Sequence, residues 1–511
     1  MLRAVSASVA ILILTSAASA EQAEQRDWAK LLAEDAQALH DNIAANHPGS
    51  VNALDPGFAA NNDRQLAIAL DRAKTAKTYA DYFFPLRIYV SSFNDAHMGF
   101  GASGATPNDF RWPGFATQYD GSDSIVVATN EPNAPVPKGA RLVACDGMSA
   151  ARYAEATVGK MWGNWSLESQ HKARGFHLFL DESSGLIPIA KRCTFRVGKT
   201  TKTVDLMWRP LSFDRMAVLA GGLMRGTPGK FAARSLADGT RWVAIPSFDG
   251  NPQSEAVKLL PGMIETLRKD RTALAAAPAI VLDLRGNGGG TSDWSRQMAL
   301  ALWGQKAIDA LPPGPDVQVD WRASPANLAE VATGYAERRN AAGFSTEIDG
   351  WYRSVIAGLG VAIARKQPLW RHVEFDAAAG QAGGPATAGK PGPAPLSKLS
   401  GPVYVLTDSS CMSACLDAVD LWTALGAVQI GRATGADTLY MEVRQYRLPS
   451  RITGGSMPMK VYRGRPRGSN EPAIPVHRFV GDIGNTKALE QWVGTLPERR
   501  PRTSPGLASG S

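Results

Sequence analysis

Hydrophobic and polar positions along the chain follow three successive patterns. Residues 24–90 carry apolar side chains at the spacing of amphipathic helices, which predicts a small helical domain. From about residue 113 to 210 the pattern changes to short strands, including PKGARLVACDGMSA at 137–150. Beyond residue 211, apolar strands alternate with helical segments, an order that is typical of an α/β core with partly parallel strands.

The strands and helices of that third region can be placed individually. The predicted strands are Trp242–Ile245, Ile280–Leu284, Val403–Leu406 and Ala427–Ile430, and the predicted helices are Ala256–Leu267, Ser292–Leu302 and Cys415–Leu425. Residues 305–397 interrupt this core with helical pieces at Asn327–Ala342 and Trp351–Ala364 and a Gly/Ala/Pro-rich tract from Ala377 to Pro395. Such a tract is expected to be mobile, so the insertion is either a lid or a surface elaboration.

The first twenty residues, MLRAVSASVAILILTSAASA, combine an arginine, a short apolar run and an Ala-Ser-Ala end. This pattern predicts a secretory signal peptide that is cleaved near Ala20. The apolar run is shorter than the ~20 residues that a spanning helix needs, and no other segment of the sequence reaches that length. We therefore expect a periplasmic or secreted protein with no membrane span after cleavage; an uncleaved anchor is the alternative.

The charge pattern argues against a nucleic-acid-binding protein. The formal net charge is +8, but lysine and arginine are spread along the chain apart from small clusters at residues 463–467 and 499–502. No basic array with interleaved aromatic residues is present, so nucleic acid is not an expected partner. The positive charge indicates a solvated surface, with some preference for anionic partners.

Four cysteines occur in a chain that is expected to reach an oxidising compartment. Four cysteines allow three connectivities. Their positions along the sequence suggest the pairs Cys145–Cys193 and Cys411–Cys415, and the alternative for the second pair is two small buried thiols. Neither pair has the spacing of a zinc site.

Two segments carry candidate chemistry. Ser413 follows a predicted strand and opens a predicted helix, a place where a hydroxyl lies beside free backbone N–H groups and can act as a nucleophile. The alternative is that Ser409, Ser410 and Ser413 only cap the helix. Residues 279–290, AIVLDLRGNGGG, predict a strand and a glycine loop whose N–H groups can approach a ligand. The alternatives for this loop are a phosphate-cradling loop and a plain turn, although the Gly-Lys-Ser/Thr of a P-loop is missing.

In this order, the two segments resemble the C-terminal-processing (tail-specific) serine peptidase family, whose clan also contains the tricorn core protease and a retinoid-binding protein. The similar stretches are LDLRGNGGG at 282–290, Ser413-Ala414, GRATG at 431–435, EVRQYRLPS at 442–450 and NEPAIP at 470–475. The resemblance covers residues 239–480 apart from the insertion, and it covers the N-terminal part more loosely.

The resemblance implies an α/β fold: a mixed-sheet peptidase core of the ClpP/crotonase-like kind, with an N-terminal helical domain and a PDZ-like β insert. The expected organisation is a signal peptide at 1–20, the helical domain at 21–100, the PDZ-like β module at 101–210, the core at 211–304 and 398–497, the insertion at 305–397 and a disordered tail at 498–511. A PDZ-like module can bind an extended peptide tail as an added strand. A purely structural β insert is the alternative.

The identity of the general base separates two branches of the clan. Many tail-specific peptidases use a lysine after the helix, but the matching GRATGADTLYM has none, and Asp437 lies near that position. Lys460 is the one nearby lysine, and its place beyond LPS argues against that role. The tricorn-like branch uses a histidine before the core, and NDAHMG at 94–99 is similar to that segment. The resemblance thus implies His97 as the base; because the chain has seven histidines, a structural His97 is the alternative.

The tricorn-like branch also implies a late glutamate that supports the histidine. Glu471 is the candidate and Glu442 the runner-up, although both residues can also be ordinary surface carboxylates. The oxyanion hole is expected to combine the backbone N–H of Ala414 with that of Gly288 or Gly289.

The predicted function is an exported serine peptidase that forms an acyl-enzyme at Ser413 and needs no metal or organic cofactor. Its expected partner is a polypeptide substrate, with recognition of a C-terminal tail as one option. The alternative from another class is a catalytically inactive, peptidase-like protein that binds a ligand or a peptide, because the dyad lysine is missing. A hydrolase that acts on non-peptide substrates through the same serine is a third option.

Overall fold

The structure is a computed structural model that describes residues 26–104, 110–120, 124–224, 229–312, 317–340, 344, 346–372 and 399–498. Three predicted features lie outside these residues, namely the signal peptide, the Gly/Ala/Pro-rich tract and all but the first residue of the C-terminal tail. Within the described ranges, no helix combines the length and the apolar character needed to cross a bilayer.

Three helices form the N-terminal part: α1 (Trp28–Asn46), α2 (Gly57–Ala73) and α3 (Tyr79–Ser91). Helix α3 begins with a capping box in which Thr78 and Asp81 satisfy each other's backbone N–H groups. The helices bury a core that is rich in aromatic side chains. The chain then passes through residues 92–98 into the short strand β1 (Gly99–Ala102).

A β module follows. Its strands are β2 (Phe110–Trp112), β3 (Phe115–Tyr119), β4 (Ile125–Asn130), β5 (Arg141–Cys145), β6 (Met148–Ser149), β7 (Arg192–Val197), β8 (Thr200–Asp205) and β9 (Arg209–Leu211), and its helices are α4 (Ala150–Ala156) and α5 (Glu168–Arg174). The main sheet is antiparallel in the order β3-β4-β5-β7-β8, with β6 on β5, while β2 pairs with β9. Cys145 and Cys193 are register partners on β5 and β7 and form a disulfide, which confirms this predicted pair.

The chain then enters the α/β core. The elements of its first half are α6 (Phe213–Met224), β10 (Ala232–Ser235), β11 (Arg241–Ala244), α7 (Glu255–Lys269), α8 (Arg271–Ala276), β12 (Ile280–Asp283), α9 (Asp293–Leu302) and α10 (Gln305–Asp309). The insertion contributes β13 (Gln318–Arg322), α11 (Pro325–Arg338), α12 (Thr346–Ala364) and β14 (Leu369–His372). The sequence predicted both helices of the insertion but neither of its strands.

The second half of the core contains β15 (Val403–Thr407), α13 (Ala414–Ala424), β16 (Val428–Gly431), β17 (Tyr440–Arg447), β18 (Thr453–Arg463), β19 (His477–Arg478) and α14 (Thr486–Val493). The central sheet has the order β10-β11-β12-β15-β16-β19 and is parallel except at β10. Helices α7, α9 and α13 cover one face and α14 packs on the other, as a parallel sheet requires. This arrangement confirms the predicted fold class.

Two features of the sheets determine where the candidate residues lie. Strands β12 and β15 are parallel neighbours, so the glycine loop after β12 and the Ser413 turn after β15 leave the same edge of the sheet. A second, antiparallel sheet has the order β1-β18-β13-β14 with β17 also on β18. Because β1 follows directly after His97, this sheet connects the histidine segment to the C-terminal half of the chain.

Candidate active site

Ser413 lies in a strained turn between β15 and α13. It directly precedes the first residue of α13, with φ 54° and ψ −129°. A residue other than glycine in such a conformation costs about 1–3 kcal/mol, and the surrounding structure must hold it there. A disulfide between Cys411 and Cys415 spans the turn, which confirms the second predicted pair. The turn is therefore braced covalently on both sides of the serine.

A buried carboxylate also holds the turn. Asp437 Oδ2 accepts a hydrogen bond from the Ser413 backbone N–H at 2.9 Å. The other oxygen, Oδ1, is buried and has no hydrogen-bond partner among the described residues. Burial raises the pKa of Asp437, while the positive charges of His97 and Arg465 act in the opposite direction. The residue near the position of the family's lysine thus fixes the backbone of the candidate nucleophile.

The glycine loop after β12 is pressed against the serine turn. Asn287 stabilises the loop: its Nδ2 donates to the Ile245 carbonyl at 2.9 Å, and its Oδ1 accepts the Gly289 N–H at 2.9 Å. Gly289 has φ 95°, and a Cβ added there would lie 2.5 Å from the Met412 carbonyl oxygen and 2.8 Å from Ser413 Cβ. Only glycine allows this close approach.

Arg285, the arginine of this loop, has a structural role. Arg285 Nη2 lies 2.6 Å from Asp283 Oδ2, and its Nη1 donates to the Ile483 carbonyl at 2.8 Å. Asp283 also accepts the Trp242 indole N–H at 3.0 Å. Since its guanidinium is engaged by the core and by the segment before α14, Arg285 anchors the loop.

One backbone donor of the serine turn and one of the glycine loop are free. In the described part of the chain, the N–H groups of Ala414 and Gly288 have no hydrogen-bond acceptor. The Gly289 N–H, in contrast, is bound to Asn287. Of the two glycines predicted for an oxyanion hole, Gly288 is therefore the one whose donor is available.

His97 occupies the segment between α3 and β1 and is held by hydrogen bonds at its backbone. Its N–H donates to Asp95 Oδ1 at 2.8 Å, and its carbonyl accepts from Ser456 Oγ at 3.0 Å. Asp95 Oδ2 in turn accepts from Thr438 Oγ1 at 2.9 Å. Because Thr438 follows Asp437, the histidine segment and the support of the serine turn are joined through neighbouring residues.

The environment of His97 favours its protonated form. Burial lowers the pKa of His97, but the Asp95 carboxylate, followed by the charge of Asp437, outweighs burial, so the pKa is raised above its usual value. Nδ1 is 3.7 Å from Asp95 Oδ1, which is an ion-pair contact and too long for a hydrogen bond. Accordingly, Nδ1 is buried without a hydrogen-bond partner in the described structure.

Ser413 and His97 both interact with Asp437, but within the described contacts they do not form a hydrogen bond with each other. Ser413 interacts with Asp437 by a hydrogen bond and His97 electrostatically. Among the contacts of the described residues, no hydrogen bond connects Ser413 Oγ to the His97 ring. Hydrogen bonds of this kind are often long in proteins without substrate and shorten when substrate binds.

The predicted acids lie elsewhere. Glu471 is exposed, and its carboxylate accepts the Gly468 N–H at 2.7 Å. The preceding residue, Asn470, nevertheless donates its N–H to the Asp437 carbonyl at 2.6 Å, so the backbone at Glu471 passes beside the site. Its role stays a prediction.

The runner-up acid and the nearby lysine contact each other on the β17–β18 hairpin. Glu442 lies 3.5 Å from Lys460, and the Lys460 ammonium also lies over the Trp321 and Tyr462 rings. The carboxylate that contacts the His97 ring is that of Asp95, a residue without a predicted role; its position two residues before the histidine is the signal that the sequence offers. In the described ranges, no group of three or more His, Cys, Asp or Glu side chains is arranged to hold a metal ion.

Comparison with solved structures finds the same fold. Mature CPAF matches 91% of this chain and 96% of its own, with a TM-score of 0.58 and 13% sequence identity. CPAF complexed with lactacystin matches 91% of this chain and 98% of its own, with a TM-score of 0.57 and 13% identity. The photosystem II D1 C-terminal processing protease covers 88% of this chain and 93% of its own at 12% identity, but its TM-score of 0.32 is too low to indicate a shared fold.

These similarities establish the fold. No protein-family model and no curated protein matches the sequence. The match to CPAF shows that the two proteins share a fold, and this agrees with the family resemblance that the sequence motifs predicted. At 13% identity the match does not transfer residue roles, which depend on the geometry described above.

Proposed function

We propose that the protein is an exported serine peptidase that cleaves peptide bonds through an acyl-enzyme at Ser413. One observation carries the proposal: in a chain with the CPAF fold, a serine in a strained turn is followed by the unbonded backbone N–H of Ala414, and the glycine loop packed against that turn carries a second unbonded N–H, that of Gly288. A helix-capping serine needs neither the strain nor the free donors. A nucleophile that generates an oxyanion needs both.

In the proposed reaction, neutral His97 accepts the proton of the Ser413 hydroxyl while the oxygen attacks a peptide carbonyl carbon. The carbonyl oxygen becomes an oxyanion and accepts hydrogen bonds from the Ala414 and Gly288 N–H groups. The imidazolium then donates its proton to the leaving amine, and the acyl-enzyme forms as the C–N bond breaks. A water molecule then attacks the carbonyl carbon of the acyl-enzyme while His97 accepts its proton. The ester bond to Ser413 breaks, and His97 returns the proton to the serine oxygen.

Electrostatics support each charged stage. The Ala414 N–H is at the start of α13, where the helix dipole is positive, so it favours the developing oxyanion. Loss of one such donor typically slows catalysis about 100- to 1000-fold. We assign stabilisation of the imidazolium to Asp95, which is 3.7 Å from the ring, and keep Glu471 as the second candidate because its backbone adjoins Asp437.

The proposed substrate is a polypeptide. The edge strand β8 of the β module is largely exposed and can accept an extended segment as an added strand, and recognition of a C-terminal tail through it is part of the proposal. The proposed location is the periplasm or the exterior of the cell. The signal-like N-terminus supports export, and two disulfides are typical of an oxidising compartment.

A fluorophosphonate probe tests the proposal on the purified protein with its disulfides intact. We expect covalent labelling of Ser413, identified by peptide mass spectrometry, and loss of labelling in both Ser413→Ala and His97→Ala. Circular dichroism and urea unfolding must show that each variant is folded. Absence of labelling in the folded wild-type protein would exclude the peptidase and leave the inactive binding protein, which the missing Ser413–His97 hydrogen bond favours.

A further inference from the structure

A second group of buried charges lies between helix α3 and the β module, and the proposed reaction does not use it. The guanidinium carbons of Arg87, on α3, and Arg174, at the end of α5, lie 3.2 and 4.0 Å from the centroid of the same ring, that of Trp162. An indole face attracts a cation, but two cations at one ring repel each other. The arrangement therefore calls for negative charge nearby.

The structure supplies only part of that charge. Glu182 is the carboxylate that acts on both guanidinium groups, and it lies 2.9 Å from His177 Nδ1. No hydrogen bond joins Glu182 to Arg87 or Arg174 in the described residues. Burial lowers the pKa of Arg87 to about 9 and that of Arg174 to about 10, even though Glu182 acts in the opposite direction. Two arginines thus share one carboxylate.

Polar atoms without partners concentrate in the same place. Four buried atoms have no hydrogen-bond partner in the described structure: Tyr79 Oη, Arg87 Nε, Arg174 Nε and His177 Nε2. Tyr79 interacts electrostatically with both Arg87 and Glu182, so it belongs to this group. Buried polar groups are nearly always hydrogen-bonded, and each exception needs an explanation. Four in one cluster indicate a missing binding partner.

A small cavity adjoins the cluster. Trp162, His177, Glu182 and Asp181 contribute to its lining, the two arginines lie outside it, and its volume is about 30 Å³. A single water needs only ~10–15 Å³. Pockets for organic ligands of drug size are ~300–1,000 Å³. The space therefore suits a few waters or one compact ionic group.

We propose that the cluster of Arg87, Arg174, His177 and Tyr79 binds a small oxyanion, either an inorganic ion or a carboxylate group. The forked donors of arginine match carboxylate, sulfate and phosphate oxygens, and an anion supplies the negative charge that Glu182 alone does not. Water can form hydrogen bonds with the unpaired atoms, but it does not neutralise the excess positive charge of the two arginines. The bound anion joins α3, which leads into the His97 segment, to the β module.

Calorimetric titration of the full mature protein in a chloride buffer tests the site, with sulfate for the inorganic source and acetate for the carboxylate source. We expect saturable binding of one equivalent of at least one of the two, and the tighter one identifies the source. Arg174→Gln should weaken binding at least tenfold. Glu182→Gln removes the competing negative charge and keeps an acceptor for His177, so it should strengthen binding at least threefold.

Controls separate the site from general anion attraction. Arg192→Gln makes the same change in net charge at an exposed pair with Asp205 and should leave the affinity unchanged. Absence of saturable binding to the wild type means that water fills the site, and unchanged affinity in Arg174→Gln means an adventitious ion only; either result overturns the proposal. If Arg174→Gln does not fold, Arg174→Lys and Glu182→Gln decide, because the two must change affinity in opposite directions.

The pH dependence gives a separate readout with sulfate, which does not titrate in the range used. Burial lowers the pKa of His177, and Arg174 and Arg87 act in the same direction while Glu182 opposes them. Neutral His177, with Nδ1 donating to Glu182, presents a bare Nε2 that cannot donate. Sulfate affinity should therefore rise as the pH falls below the usual range of histidine and His177 takes up a proton, and this rise should vanish in His177→Gln.

Discussion

Replacing Gly289 with alanine should disable Ser413 without changing any side chain assigned to the reaction. The residue has φ 95°, where an alanine is strained, and the new Cβ would meet the Met412 carbonyl oxygen at 2.5 Å and Ser413 Cβ at 2.8 Å. Both atoms belong to the turn that presents the hydroxyl. Either the glycine loop or the serine turn must therefore move.

The size of the effect follows from these contacts. Reaching the 3.4 Å of ordinary van der Waals contact from 2.5 Å requires a shift of about 0.9 Å. Misplacement by about 1 Å at a catalytic centre costs roughly 100-fold in rate. Overpacking costs about 1–3 kcal/mol of unfolding free energy. Gly289→Ala should thus label with fluorophosphonate about 100-fold more slowly than the wild type while remaining folded.

Gly288→Ala is the matched control. A Cβ at Gly288 meets no heavy atom within 4 Å, and the substitution keeps the backbone N–H proposed for the oxyanion hole. We expect its labelling rate to stay within about threefold of the wild-type rate, a factor worth ~0.7 kcal/mol. Urea unfolding of both variants separates stability from reactivity. Equal rates for the two alanine variants, whether both fast or both slow, would refute the proposed packing of the loop against the serine turn.

Three further predictions concern the supports of the site. Asp437→Ala removes the acceptor for the Ser413 N–H, a hydrogen bond worth ~1.5–3 kcal/mol, and should slow labelling about 10- to 150-fold. Asp437→Asn keeps an acceptor, and its labelling rate should stay within ~10-fold of the wild-type rate. Equal labelling rates for the two variants would contradict this role of Asp437. Because only neutral His97 is a base, labelling should fall as pH decreases through its raised pKa, and Asp437→Asn should move that midpoint to lower pH; an unmoved midpoint excludes the coupling. Serine replacement of the Cys411–Cys415 pair should lower the unfolding free energy in urea by ~2 kcal/mol and that of the Cys145–Cys193 pair by ~4 kcal/mol. Only the first replacement should slow labelling, and slowing by both would argue against a local bracing effect.

The sequence was most informative where chemistry depends on neighbouring residues. The strand and glycines of LDLRGNGGG and the strand–turn–helix around Ser413 are local patterns, and the structure has those elements within one or two residues of the predicted bounds. Strands β13 and β14 were missed because each is short and flanks a longer helical pattern. Strand β14 pairs with β13, and the other partner of β13, β18, is distant in sequence, so no local signal marks that pairing.

Contacts between distant segments were out of reach of the sequence. Asp437 was noticed only as the residue near a missing lysine, because nothing in its surroundings shows that it accepts a hydrogen bond from a residue 24 positions earlier. The sequence does not establish the role of Asp95, because an acid near a histidine in sequence need not face it. Gly288 and Gly289 could not be told apart until the side chain of Asn287 was seen to occupy one of the two N–H groups.

The pairing of β1 with β18 has a consequence for the life of the chain in the cell. Gly99, two residues after His97, donates its N–H to the side chain of Ser456, which is synthesised 357 residues later. A polypeptide that is still being synthesised can therefore contain Ser413 before the His97 segment has its place on β18. The proposed hydrolytic activity would then require synthesis at least as far as Ser456.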